Sequence, residues 1–139
     1  PNIYIGNLAT IYNTELLDEL NIKNIITAVA GISSPYTDKY NYLNMELIDS
    51  EYQNICDSFD QSNKFIEKSL NNNEKILVHC ICGVSRSSTL VIAYLLSLKN
   101  NNLQQIITNL QSSRDIINPN DNFIKQLELY ESKLNLIVN

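Results

Sequence analysis

Between Lys75 and Leu98 the chain passes from an apolar run, KILVHC, through the short loop ICGVSR into a segment that is apolar nearly all round. The unbroken Ile76, Leu77 and Val78 predict a central strand buried on both faces. From Ser87 to Leu98, Leu90, Val91, Ile92, Ala93, Leu95 and Leu96 leave a helix almost no face for water, so it too belongs in the interior. A buried strand feeding a buried helix is the mark of a layered α/β domain. The rest of the chain fits: NIYIGN from Asn2, KNIITAV from Lys23 and YNYLNMEL from Tyr40 predict three more strands. Helical stripes follow at Ile55, Phe59, Ser62, Ile66 and Leu70, at Leu103, Ile106, Ile107 and Leu110, and at Phe123, Leu127, Tyr130 and Leu134. With strands first mixed with helices and helices alone at the end, the expectation is one domain over residues 1–139. It is α/β, with a small mixed, mostly parallel central sheet flanked by helices on both faces.

That organisation puts the loop at the carboxyl end of the central strand, where open α/β sheets bind ligands. His79 is the only histidine of the chain, and Cys80 and Arg86 are separated by five residues. A turn of that length leading into a helix near Ser85 to Ser87 gathers unpaired N–H groups around one point, and the helix N-terminus adds roughly half a positive charge. The product is an anion cradle of phosphate size. Gly83 permits a positive φ or a close backbone approach, and Arg86 offers a planar fork of donors for two phosphate oxygens. The same donors stabilise a thiolate, so Cys80 is expected to ionise below the ordinary cysteine range. A nucleophile aimed at a held phosphorus is the implied design.

The pattern H79-C80-x-x-G83-x-x-R86-S87 resembles the signature loop of the cysteine-dependent protein phosphatases, and most closely that of their small, atypical dual-specificity branch. IYIGNLAT near the start, MELIDSEYQNI in the middle and RDIINPNDNFIKQLELYE near the end are similar to other segments of that branch, in the same order. The resemblance implies a protein-tyrosine-phosphatase-like fold and hydrolysis of phosphotyrosine, phosphoserine or phosphothreonine monoesters through a phosphocysteine. It implies Cys80 as nucleophile, Arg86 and the loop Ile81, Cys82, Gly83, Val84, Ser85 as the phosphate site, and Ser87 as an aid to thiolate departure. His79 and Asn120, the latter paired with Pro119, would support the loop, and no metal or other cofactor is called for. The family also draws a general acid from an Asp about thirty residues upstream of the cysteine. Asp49 fits that distance and follows the third strand, whereas Asp57 and Asp60 fall inside the helical pattern.

The same residues admit other readings. His79, Cys80 and Cys82 lack the paired spacing of a zinc site, and a rhodanese-type loop is usually one residue shorter. A pseudophosphatase that binds phosphate without turning it over is the non-enzyme alternative. Phosphoinositide, RNA 5′-phosphate and glucan are alternative substrates, although apolar Ile81 and Val84 favour phosphoprotein. Arg114 has two readings, a contact to a second substrate phosphate or a helix C-cap. Cys82 stands where the family usually has a small residue such as Ala; it is either an inert replacement or, with Cys56, a resolving thiol for oxidised Cys80. The segment from Gly31 to Tyr40 is expected to set pocket depth.

Composition bounds the partners. The net charge of −5 disfavours nucleic acid and anionic membrane surfaces. Three cysteines are too few and too odd in number for a disulfide framework. With no secretory pattern at the start, a cytoplasmic or nuclear monomer is expected, trimmed before Pro1.

Overall fold

The computed structural model describes residues 2–138; Pro1 and Asn139 lie outside them. Four strands, β1 (Ile3–Gly6), β2 (Ile22–Thr27), β3 (Asn41–Asn44) and β4 (Lys75–His79), make one sheet in the order β1-β4-β2-β3. All three pairings are parallel, so the sheet expected to be mixed has no antiparallel pair among the described residues. The long connections between strands explain this, since parallel neighbours need a crossover of about a dozen residues or more. β4 lies inside the sheet, and its Ile76, Leu77 and Val78 are all buried, as the unbroken apolar run requires.

Among the described residues five helices cover the sheet: α1 (Thr14–Glu19), α2 (Phe59–Asn71), α3 (Arg86–Ser97), α4 (Leu103–Ser113) and α5 (Asp121–Val138). The two layers are unequal. On one face Ile26, Ile76 and Val78 meet α2 through α5 in the main core, centred on Leu90 to Tyr94 of α3 and closed by Phe59, Phe123 and Leu127. On the other face Ile22, Ile25 and Leu77 form a smaller cluster with buried Ile11, Leu17 and Tyr40, edged by the partly buried Tyr4, Leu8, Leu20, Ile32 and Tyr42. The period-two alternation of β3 is visible here, with Tyr42 packed on the thin side and Leu43 on the thick one. α4 and α5 are tied end to side, because the Leu103 N–H donates to Glu131 Oε2 at 2.7 Å.

α1 and a 3-10 turn over Leu8–Tyr12 have no counterpart in the apolar periodicity. Both are too short to show it, and their polar caps set them instead. The Asn7 side chain accepts from the Thr10 N–H at 3.2 Å, and the Asn13 side chain accepts from the Leu16 N–H at 3.1 Å. These two turns carry Ile11 and Leu17 onto the thin face.

The last rung of the sheet positions the site. Gly6 and Thr27 flank His79 on the neighbouring strands, and the chain leaves β4 into the loop that α3 closes.

Candidate active site

His79 is fully buried and anchors the start of the loop. Its Nδ1 lies 3.2 Å from the Cys80 carbonyl, which can only accept, so Nδ1 carries the proton. Nε2 therefore accepts from the Thr27 hydroxyl at 2.8 Å. Burial holds the imidazole below its usual ionisation range, outweighing the opposing pull of the Cys80 carbonyl. With both ring nitrogens engaged, His79 ties the start of the loop to β2.

Cys80 is buried at the floor of the loop. Burial pushes its thiol up, but hydrogen bonds from the Ser87 hydroxyl and from the N–H groups of Ser87, Gly83 and Val84 outweigh it, so the thiol ionises below the ordinary cysteine range. The Ser87 Oγ lies 3.2 Å from Sγ. These donors point inward for a local reason: Ser85, the residue before α3, makes no side-chain cap, so the first amides of the helix remain free for an anion. Ser87→Ala removes a donor that favours the charged form. The pH midpoint of Cys80 alkylation by iodoacetate is expected to move upward in that variant, and an unmoved midpoint would remove Ser87 from the account.

Gly83 needs to be glycine twice over. Its φ is +70°, and a Cβ there would lie 2.8 Å from the Gly6 carbonyl oxygen and against the Arg114 guanidinium. The loop is then clamped from outside. Ser88 Oγ donates to the carbonyls of Val84 at 2.6 Å and Ser85 at 3.0 Å, and Thr89 Oγ1 to that of Ser85 at 2.7 Å. Leu8 N–H donates to the Ile81 carbonyl and Asn118 N–H to that of Val84. The carbonyls thus face scaffold while the amides of Gly83, Val84 and Ser87 face the Cys80 sulfur, which is what an anion cradle requires.

Arg86 begins α3 and uses one nitrogen structurally, Nη1 donating to the Leu47 carbonyl at 3.0 Å. Its Nε is buried with no partner. An unmet buried donor on a guanidinium beside converging amides is a place for an anion.

Asp49 is exposed on the loop after β3 and accepts from the Asn120 side-chain amide at 2.8 Å. Asn120 also donates from its backbone N–H to Ser85 Oγ at 2.9 Å and accepts from Phe123 N–H at 2.8 Å. One residue therefore joins the Asp49 loop, the cysteine loop and α5. Asn122 and Gln126 extend the seam: Asn122 donates to the carbonyls of Ser50 and Gln53, and Gln126 accepts from the N–H groups of Ile55 and Cys56. By contrast Asp57 lies in a 3-10 turn bonded to Asn54, and Asp60 sits in α2.

Residues 3–133 match the family described as dual specificity phosphatase, catalytic domain. The chain belongs to the dual specificity phosphatase family. A probable dual specificity protein phosphatase of Dictyostelium discoideum is 37% identical over 144 residues, covering 96% of this chain and 63% of that protein. The chain thus spans under two thirds of that relative's length. The crystal structure of human tyrosine phosphatase-like serine/threonine/tyrosine-interacting protein superposes with a TM-score of 0.92 at 28% identity, covering 96% of this chain and 93% of that one. A mouse putative dual specificity phosphatase complexed with zinc tungstate superposes with a TM-score of 0.93 at 25% identity, over 99% of this chain and 87% of the other.

For this family member the fold brings His79, Gly83, Val84 and Ser87 into hydrogen bonds with Cys80, sets Arg86 at the start of the next helix, and joins Asp49 to the loop through Asn120. Ile81 and Cys82 form the outer arc of the loop and are exposed. Ser85 serves as an anchor, its hydroxyl accepting from Asn120. Arg114 follows α4 at its C-cap, and its guanidinium donates to the carbonyls of Gly83 at 3.2 Å and Cys82 at 3.4 Å. It braces the loop, in keeping with neither of its two readings in full. The sequence assigns no role to Thr27, Ser88, Thr89, Asn122 and Gln126. The signal for the last two was there, since they lie one helical turn apart on either side of the apolar Phe123.

Proposed function

We propose that this domain is a phosphoprotein phosphatase working through a phosphocysteine. The observation that carries the reading is the convergence of the Gly83, Val84 and Ser87 amides and the Ser87 hydroxyl on the Cys80 sulfur, beside the unpartnered Nε of Arg86. In the first step the Cys80 thiolate attacks phosphorus, the bond to the leaving oxygen breaks, and that oxygen takes a proton from Asp49. The loop amides and Arg86 carry the charge on the equatorial oxygens. In the second step water attacks the phosphocysteine, giving its proton to Asp49, and the sulfur leaves as a thiolate that Ser87 receives. Each role rests on the family's pattern at matching positions and on the geometry above.

Family membership favours phosphoprotein as the substrate class. A neighbour named for interaction rather than hydrolysis supports a second reading, a phosphate-binding module that does not turn over. Aryl phosphates of different leaving group separate the two. The parent domain is expected to hydrolyse both p-nitrophenyl and phenyl phosphate. Asp49→Asn should slow phenyl phosphate by about a hundredfold and the activated ester far less, since only the poorer leaving group depends on the proton. Absence of turnover by the parent, with inorganic phosphate still bound, would establish the binding module instead.

A further inference from the structure

Four large apolar side chains are exposed on the loops that bond to the cradle: Ile48 at 58%, Tyr52 at 87%, Ile81 at 39% and Ile116 at 47%. Each stands within two residues of a bond that reaches the site. Ile48 lies between Leu47, whose carbonyl Arg86 grips, and Asp49. Tyr52 follows Ser50, whose carbonyl accepts from Asn120 and Asn122. Ile81 is part of the cradle itself, and Ile116 precedes Asn118, which donates to the Val84 carbonyl. These side chains have no packing role in either core cluster.

The charges on the same loops are mostly negative. Glu46, Asp49, Glu51 and Asp115 are carboxylates of the two loops that carry Ile48, Tyr52 and Ile116. The arginines there are engaged by backbone: Arg86 bonds the Leu47 carbonyl and keeps its Nε for an anion in the cradle, and Arg114 bonds the carbonyls of Cys82 and Gly83. Lys39, on the segment after β2, is paired with Asp18 at 3.0 Å. Lys125 borders the hollow beneath Tyr52 in company with Glu51 and Asp121. A second phosphate or an acidic neighbour on the substrate needs a free Arg or Lys to offset its charge. Around this cradle it would meet carboxylates.

We propose that the site selects singly phosphorylated protein segments whose residues next to the phosphorylated one are apolar, received by Ile48, Tyr52, Ile81 and Ile116. The proposal rests on the phosphatase reading and narrows its substrate. A segment with aliphatic neighbours covers this exposed surface and brings no added negative charge, whereas a multiply phosphorylated inositol lipid or RNA end carries the wrong charge for the rim.

The test uses phosphopeptides matched in length, with Leu, Ile and Val or with Asp and Glu beside one phosphotyrosine, and p-nitrophenyl phosphate as a substrate with no flanks. The expected result is a kcat/KM at least tenfold higher for the apolar set. The double variant Ile48→Ser/Ile116→Ser should lower the ratio of apolar-peptide to p-nitrophenyl phosphate kcat/KM by about tenfold, and Tyr52→Ala should lower the same ratio. Cys80-dependent turnover of p-nitrophenyl phosphate with equal rates on both peptide sets would overturn this inference and leave the phosphatase reading intact. A preference for acidic peptides, or faster turnover of vesicles containing phosphatidylinositol bisphosphate, would also overturn it. No turnover of p-nitrophenyl phosphate would overturn the phosphatase reading, and with it this proposal.

Discussion

Cys80→Ser is expected to lower hydrolysis of p-nitrophenyl phosphate by about a thousandfold or more. Serine keeps the size of the side chain and leaves the loop amides in place, so the fold has no reason to change. The loss is chemical. The amides of Gly83, Val84 and Ser87 and the Ser87 hydroxyl hold a thiol ionised below its ordinary range against the opposing effect of burial, and the same donors cannot bring an alkoxide into being at neutral pH. An attacking group of this kind works in its charged form. The variant should still bind inorganic phosphate or tungstate, measured by calorimetry, because the cradle is made of backbone and Arg86. Retained turnover in Cys80→Ser would sink the nucleophile assignment, and retained binding without turnover is the outcome that supports it.

Arg86 is the second large effect. Arg86→Ala should reduce kcat/KM for the same ester by about 10²–10³, the usual cost of removing a donor from developing charge. Arg86→Lys should recover little of it, since a single ammonium cannot bond the Leu47 carbonyl and fork onto two phosphate oxygens at once. Part of the loss belongs to the Asp49 loop, because the Nη1 bond to Leu47 is one of the ties between the two loops. That part has its own signature: the defect in Arg86→Lys should be larger for phenyl than for p-nitrophenyl phosphate. An equal defect for both would confine Arg86 to phosphate binding.

The strand–loop–helix from Lys75 to Ser97 was legible because it is local. An apolar run, a glycine between reactive side chains and a helix apolar all round each have a direct physical meaning, and the structure places all of them as those meanings require. α4 and α5 followed from their stripes, and α2 did from Phe59 on, whereas Ile55 and Asp57, expected inside it, fall at a separate 3-10 turn that precedes the helix. α1 escaped because six residues capped by Asn13 look like the polar turns on either side of them. Strictly parallel pairing escaped because β1 finds β4 across most of the chain, a contact that no window of sequence contains. The same holds within the site. Cys80 and Arg86 could be read from their spacing, and Asp49 and Asn120 from resemblance alone. Thr27, Asn122 and Gln126 are ordinary polar residues whose roles arise only when the sheet and α5 bring distant segments together. Arg114 shows the limit from the other side: it does stand at the C-cap of α4, but its guanidinium turns to the carbonyls of Gly83 and Cys82, 31 and 32 residues away in sequence.

Asn120 stands 71 residues after Asp49 and 35 after Ser85, and it bonds both. Synthesis from the amino terminus produces the thiol, the arginine and the carboxylate well before the residue that fastens their loops together. A nascent chain that ends short of Asn120 therefore carries the reactive groups without that fastening. The tie between the Asp49 loop and the cysteine loop is thus made by a residue that the ribosome adds after both loops are out.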